Sequence, residues 1–237
     1  MIILAFALST AVHAQKTETP KNPKAVYAGI HLSPDYSFRT LKNTSDAAVN
    51  DLIIGMRNDI EIARFGYTTG VNLLFHCSKN VGLETGIQYS TKGYSSKYRE
   101  IIFQIPEPGL PEKFKSTYSY QYVGIPLKAR FVFGDNKIRL LSSVGVITNW
   151  LLQVKQSTVL AYADGRMESS KQSSKEDFNR LDLSPIVSVG IDYRFSDKLY
   201  LSVEPAFRYG LLKTAKSTIA EHLWSAGVQF GIYQKLR

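Results

Sequence analysis

His31 and His76 raise the first chemical question, because both fall on the polar parity of neighbouring alternating stretches. Ser33 lies two residues from His31, and Asn72 sits on the second stretch. A serine nucleophile with a histidine base and an orienting amide or acid would need such a set within hydrogen-bond reach. An acid pair activating water would draw instead on Asp35, Asp46, Asp51 and Glu61, among which no close pair stands out. Metal chemistry has little to work with: Cys77 is the only cysteine, and the 4 histidines, with His13 and His222 far from the other two, show no ligand spacing. There is no phosphate loop either, since Gly66-Tyr67-Thr68-Thr69-Gly70 sits inside an alternating run. The expectation is that the histidines are polar wall residues, with no catalytic site, no metal and no cofactor.

A larger set of charges shares one parity. Glu84, Asp192 and Glu204 alternate in step with Lys128, Arg130, Arg139, Arg194 and Arg208. Facing one another inside a closed barrel they would form a paired network, which is the condition for burying charge at all.

These residues need strands to hold them. Alternation of period two runs through roughly 25–37, 63–77, 81–95, 116–133, 137–155, 180–195, 199–212 and 221–235. Polar turns at Ser78-Lys79-Asn80, Gly134-Asp135-Asn136 and Ser196-Asp197-Lys198 join them at one end. Longer polar connections, roughly 39–62, 97–115, 156–179 and 213–220, join them at the other, and no stretch reads as a helix. Short turns at one end and long loops at the other are the layout of an outer-membrane barrel. The fold expected is all-β, an eight-stranded antiparallel up-and-down transmembrane β-barrel.

Periodicity alone does not say which face is outside. The polar parity is mostly Gly and Ser, as in Gly82, Gly86, Ser90, Ser184, Ser188 and Gly190. Gly weakens a solvent-facing strand, whereas small residues suit the narrow interior of an eight-stranded barrel. The apolar parity should therefore face lipid. The alternative, a soluble lipocalin-like barrel around a small apolar ligand, would turn Val, Leu and Ile inward. Aromatics cluster at strand ends, with Trp150, Trp224, Tyr209, Tyr94 and Tyr118 towards the long loops and Phe133, Phe195 and Tyr233 towards the short turns. Such girdles mark the two membrane interfaces. Pro34, Pro126, Pro185 and Pro205 lie within strands and predict bulges, leaving the register near Pro126 and Pro205 open.

Residues 1–14 read as a secretory signal, with an apolar core from Ile2 to Val12 too short to span as a helix. Residues 15–24 read as a flexible leader, and 25–237 as the barrel domain. Net charge is +9. The basic residues are dispersed, and export argues against a nucleic-acid partner. Loop cations such as Lys92, Lys97, Arg99, Lys113 and Lys115 alternate with Glu100, Glu107 and Glu112, a rim able to meet anionic headgroups.

The run Tyr122-Val123-Gly124-Ile125-Pro126-Leu127 leading into Lys128-Ala129-Arg130-Phe131, together with Val203-Glu204-Pro205 and Arg208-Tyr209, resembles PorT-like outer-membrane β-barrel proteins. The resemblance implies a place in the outer membrane of a Gram-negative bacterium and a role assisting secretion. An even strand number places both termini on the periplasmic side. The function expected is non-enzymatic: structural, binding or secretion-accessory work through the long loops, with outer-membrane lipid and other envelope or secretion proteins as partners. The lipocalin-like carrier and a membrane-embedded lipid hydrolase using the histidines stand as alternatives.

Overall fold

In the computed structural model the described residues are 25–45, 47–104 and 109–236. The expected signal and leader, 1–14 and 15–24, lie outside them, as do Asp46 and Glu107. The chain forms β1 (Val26–Asn43), α1 (Ala48–Ile60), β2 (Glu61–His76), β3 (Val81–Ser96), β4 (Arg99–Glu100) and β5 (Pro111–Phe133), followed by β6 (Ile138–Tyr162), β7 (Met167–Ser174), β8 (Leu181–Arg194), β9 (Leu199–Tyr209) and β10 (Ile219–Lys235). Eight of these strands close a ring in the order β1, β2, β3, β5, β6, β8, β9, β10, with β10 returning to β1, and every pairing is antiparallel. Closure gives each ring strand a neighbour on both sides, so backbone donors and acceptors are met without water.

The apolar parity faces outward. Ile30 is 59% exposed and Val189 60%, while Ser33, Ser184 and Ser225 are fully buried. This arrangement excludes the apolar-inside carrier. Outward isoleucines, valines and leucines on all sides are stable only against hydrocarbon.

Three expectations need correction. Residues 48–60 form a helix where an irregular loop was expected; Val49, Leu52, Ile53 and Met56 carry its i, i+3, i+4, i+7 spacing, hidden among polar neighbours. The strands also reach well past the predicted ends. β5 begins at Pro111 and β6 runs to Tyr162, where β7 pairs with it as a hairpin. The prolines produce no bulges. At Pro34 the β1–β10 ladder skips two pairs and resumes in the same register, from Leu32↔Phe230 to Asp35↔Gly227. Pro126 and Pro205 behave the same way towards β3 and β8. A missing donor costs one ladder bond, and the bonds on either side hold the strand in place. The register shifts that do occur lie away from these four prolines, between Ala63 and Tyr67, between Gln121 and Tyr122, and at the top of β5 between Pro111 and Lys113.

Val144 stands 51% exposed on the outer wall, opposite Val187 and Ala129. Val144→Arg is expected to lower stability in lipid by about 2–4 kcal/mol, the cost of a cation near the bilayer midplane. Equilibrium unfolding in phospholipid vesicles measures it, and a change within about 0.5 kcal/mol would place this wall against water.

Candidate functional site

The inward parity builds a stack of polar clusters, and the lowest lies towards the short turns. Arg130, 1% exposed, is its centre: it donates to Glu84 at 2.6 Å and Asp192 at 3.1 Å and lies 3.3 Å from Glu204. Lys128 pairs with Glu84 at 2.5 Å, and Arg139 with Asp192 at 3.4 Å. Glu84 also accepts from Asn72 at 2.9 Å and from the Tyr233 hydroxyl at 3.0 Å. Three carboxylates thus meet three cations, so the cluster is neutral. Below it Tyr200 and Tyr233 stack at 4.8 Å over Leu74.

A second pair sits higher. Arg208 donates to Asp35 at 3.0 Å and to Gln229 at 3.3 Å, and Ser33 donates to Asp35 at 2.6 Å. Gly227 makes this possible, since a Cβ there would collide with the Asp35 carboxylate. Above it Lys92 donates to Ser184 at 3.3 Å, which in turn donates to Asp182 at 2.6 Å. Tyr94, Tyr120, Tyr122, Leu151, Val154 and Leu223 then close the bore.

The outer mouth carries one more neutral cluster. Arg39 and Arg57 each reach Glu61 at 2.7 Å, and Arg57 reaches Glu221 at 2.8 Å. Glu221 also accepts from the hydroxyls of Tyr120 at 2.8 Å and Tyr94 at 3.1 Å. Burial disfavours the Arg57 cation, but the bonds to Glu61, then the influence of Tyr94 and Glu221, outweigh it and hold its pKa above the ordinary value. A depression of about 310 Å³ opens here beside Tyr118, Phe178 and Thr214.

Of the residues expected in one network, Glu84, Lys128, Arg130, Arg139, Asp192 and Glu204 come together. Arg208 does not join them; it pairs with Asp35, one of the acids considered for activating water, which lies fully buried. Arg194, the last residue of β8, is half-exposed at the short-turn end and forms no ion pair among the described residues. Lys92 is inside the barrel, not in a loop. Among the aromatics, Phe133 and Trp150 stand outward at 51% and 42% exposure. Trp224 packs against Phe38 and Phe207, and Tyr209 stacks on His222. Tyr94 and Tyr233 sit on inward parities and fill the bore, so they belong to neither girdle. Arg39 and Glu221 were readable as continuations of the inward parities of β1 and β10; Arg57, on the helix, was not.

The hydrolase groups are engaged elsewhere. Ser33 is bonded to Asp35 and Asn72 to Glu84, while neither ring nitrogen of buried His31 has a partner. His76 lies 5.2 Å from the Tyr27 ring, centroid to centroid. Among the described residues no three His, Cys, Asp or Glu side chains converge as metal ligands.

Arg208→Met strands the Asp35 carboxylate and is expected to cost about 3–5 kcal/mol, whereas adding Asp35→Asn should recover most of the loss. Unfolding of the wild type, both single variants and the double variant measures the coupling; additive losses would mean that the pair does not interact.

No curated protein matches the chain. Among solved structures, Neisserial surface protein A is 10% identical with a TM-score of 0.46, covering 89% of this chain and 97% of that one. The outer membrane protease OmpT of Escherichia coli is 10% identical with a TM-score of 0.45, covering 94% and 99%. The attachment invasion locus protein Ail of Yersinia pestis, solved with the heparin analogue sucrose octasulfate, is 11% identical with a TM-score of 0.30, covering 89% and 99%. The profile described as "Outer membrane protein beta-barrel domain" matches residues 14–216, and the chain belongs to that family of bacterial outer-membrane barrels.

Proposed function

We propose that this barrel is a non-enzymatic binding or secretion-accessory protein of the PorT-like kind, with both termini in the periplasm and its long loops outside the cell. The observation that carries this reading is the filled interior. Neutral ion clusters and the plug of Tyr94, Tyr120, Tyr122 and Leu151 leave no aqueous bore. Transport through the wall and catalysis inside it are therefore poor candidates, and the surfaces that remain are those presented by the loops. The orientation follows from the three short turns at one end and the long connections at the other, the arrangement of periplasmic turns and extracellular loops. Outer-membrane lipid bathes the apolar wall, and other envelope or secretion proteins are the expected loop partners. Nucleic acid is not.

Two measurements test this. Folded protein in planar bilayers should pass no stepwise current; stable channels of porin size would overturn the closed bore. Trypsin added to intact cells should cut the β6–β7 hairpin at Lys171 or Lys175 and spare a tag at the C-terminus. Cleavage of the tag with the hairpin protected would reverse the orientation.

A further inference from the structure

At the long-loop end the barrel sheet continues upward as a four-stranded extension. β4, β5, β6 and β7 pair side by side there, β5 with β6 from Pro111↔Tyr162 downward and β6 with β7 from Ala161↔Met167 to Val154↔Ser174. Residues opposite one another in register project from the same face. One face carries Phe114, Leu160 and Tyr118 and continues the inward parity. The other continues the outer wall upward, with Lys113 opposite Ala161, Lys115 opposite Val159 and Ser169, Ser119 opposite Lys155, and Ser157 opposite Lys171.

We infer that this lysine face is a binding surface for an anionic polysaccharide. Four cations share it, and among the described residues none of them forms an ion pair. Glu100, opposite Lys113, is the acid in register with them. Lys155 and Lys171 are diagonal neighbours, and Lys113 and Lys115 are two apart on one strand, so each pair springs from positions about 7 Å apart on the same face. Self-repulsion of this kind is relieved by an anion lying across the face. The ion clusters of the bore and the mouth, around Arg130, Arg208 and Arg57, are neutral, and this face is not.

Height separates a glycan from a lipid headgroup. Trp150, paired with Val123 and facing outward, sets the level of the upper interface as its outward tryptophan on β6. Lys155 lies five residues beyond it, about 12 Å higher at about 3.3 Å per residue and a tilt of about 40°. Lys115, eight residues beyond Val123, stands about 20 Å above the same level. The headgroup layer is only about 5–8 Å deep. The lysines therefore rise past it, spaced along a surface that a chain with repeated sulfate or carboxylate groups could follow. Ser157, Ser169 and Ser173 offer hydroxyls between them.

The inference rests on the loop end being the working end, but its assay does not depend on membrane orientation. Full-length protein folded in detergent is titrated with dextran sulfate and with uncharged dextran. Dextran sulfate should bind at least tenfold more tightly and weaken steeply with salt. K113Q/K115Q/K155Q/K171Q should lose tenfold or more, whereas K79Q/K137Q/K198Q/K235Q, which removes equal charge at the short-turn end, should change less than twofold. Heat-modifiable migration shows that each variant is folded; if the fourfold variant is not, K113Q/K115Q and K155Q/K171Q, tested separately, should each lose at least threefold. Equal losses in the two fourfold variants would reduce the effect to net charge and overturn the site. So would equal binding of the two dextrans, or displacement of dextran sulfate by phosphatidylglycerol vesicles at lower charge concentration, which would make the face a lipid contact.

Discussion

The barrel depends on what Arg130 does at its centre. An eight-stranded wall leaves a bore just wide enough to be filled by side chains, and this chain fills it with charge. A buried guanidinium is tolerable only when its hydrogen-bond sites and its charge are answered together. Glu84, Asp192 and Glu204 answer it from three different strands, β3, β8 and β9, so one side chain ties opposite walls across the bore. The Asp35–Arg208 pair repeats the solution one storey up, between β1 and β9. Apolar contacts fill the bore above and below these pairs, but most apolar side chains of the wall are committed to lipid.

The wall was therefore legible in the sequence, and for a physical reason. Inward positions must be small or paired, so Ser184, Ser188, Gly190 and Asp192 alternate against Leu183, Val187, Val189 and Ile191. That inversion of the soluble pattern fixed both the strands and the outward face. Glu84, Lys128, Arg130, Arg139, Asp192 and Glu204 share the inward parity and do meet. Parity cannot tell how far up a strand a residue sits, which is why Arg208 was grouped with a cluster one level below its true partner.

Beyond the membrane the code weakens. Once a strand rises into water, both faces become polar, as in Met167–Ser174, where every residue is exposed. The alternation disappears although the hydrogen-bonded ladder continues, so β7 and the upper reaches of β5 and β6 read as loop. Helix α1 was obscured differently. Its apolar spacing is regular, but Gly55 and four Asn and Asp residues near its ends (Asn50, Asp51, Asn58 and Asp59) lower its helix propensity. The mouth contributes what propensity lacks: Arg57 docks on Glu61 and Glu221, and Asn58 accepts from Arg39.

These two regimes divide the molecule. Inside the membrane the charges around Arg130 and Arg208 are matched on the spot, and changing a member strands another, so the bore is poorly suited to exchanging ligands. Above the membrane water screens charge and lets unmatched groups persist at little cost. Lys113, Lys115, Lys155 and Lys171 exist unpaired only there. A chain that neutralises its ion clusters in the bore and the mouth yet leaves four lysines aligned on one projecting face has put its available electrostatic attraction where a partner can reach it.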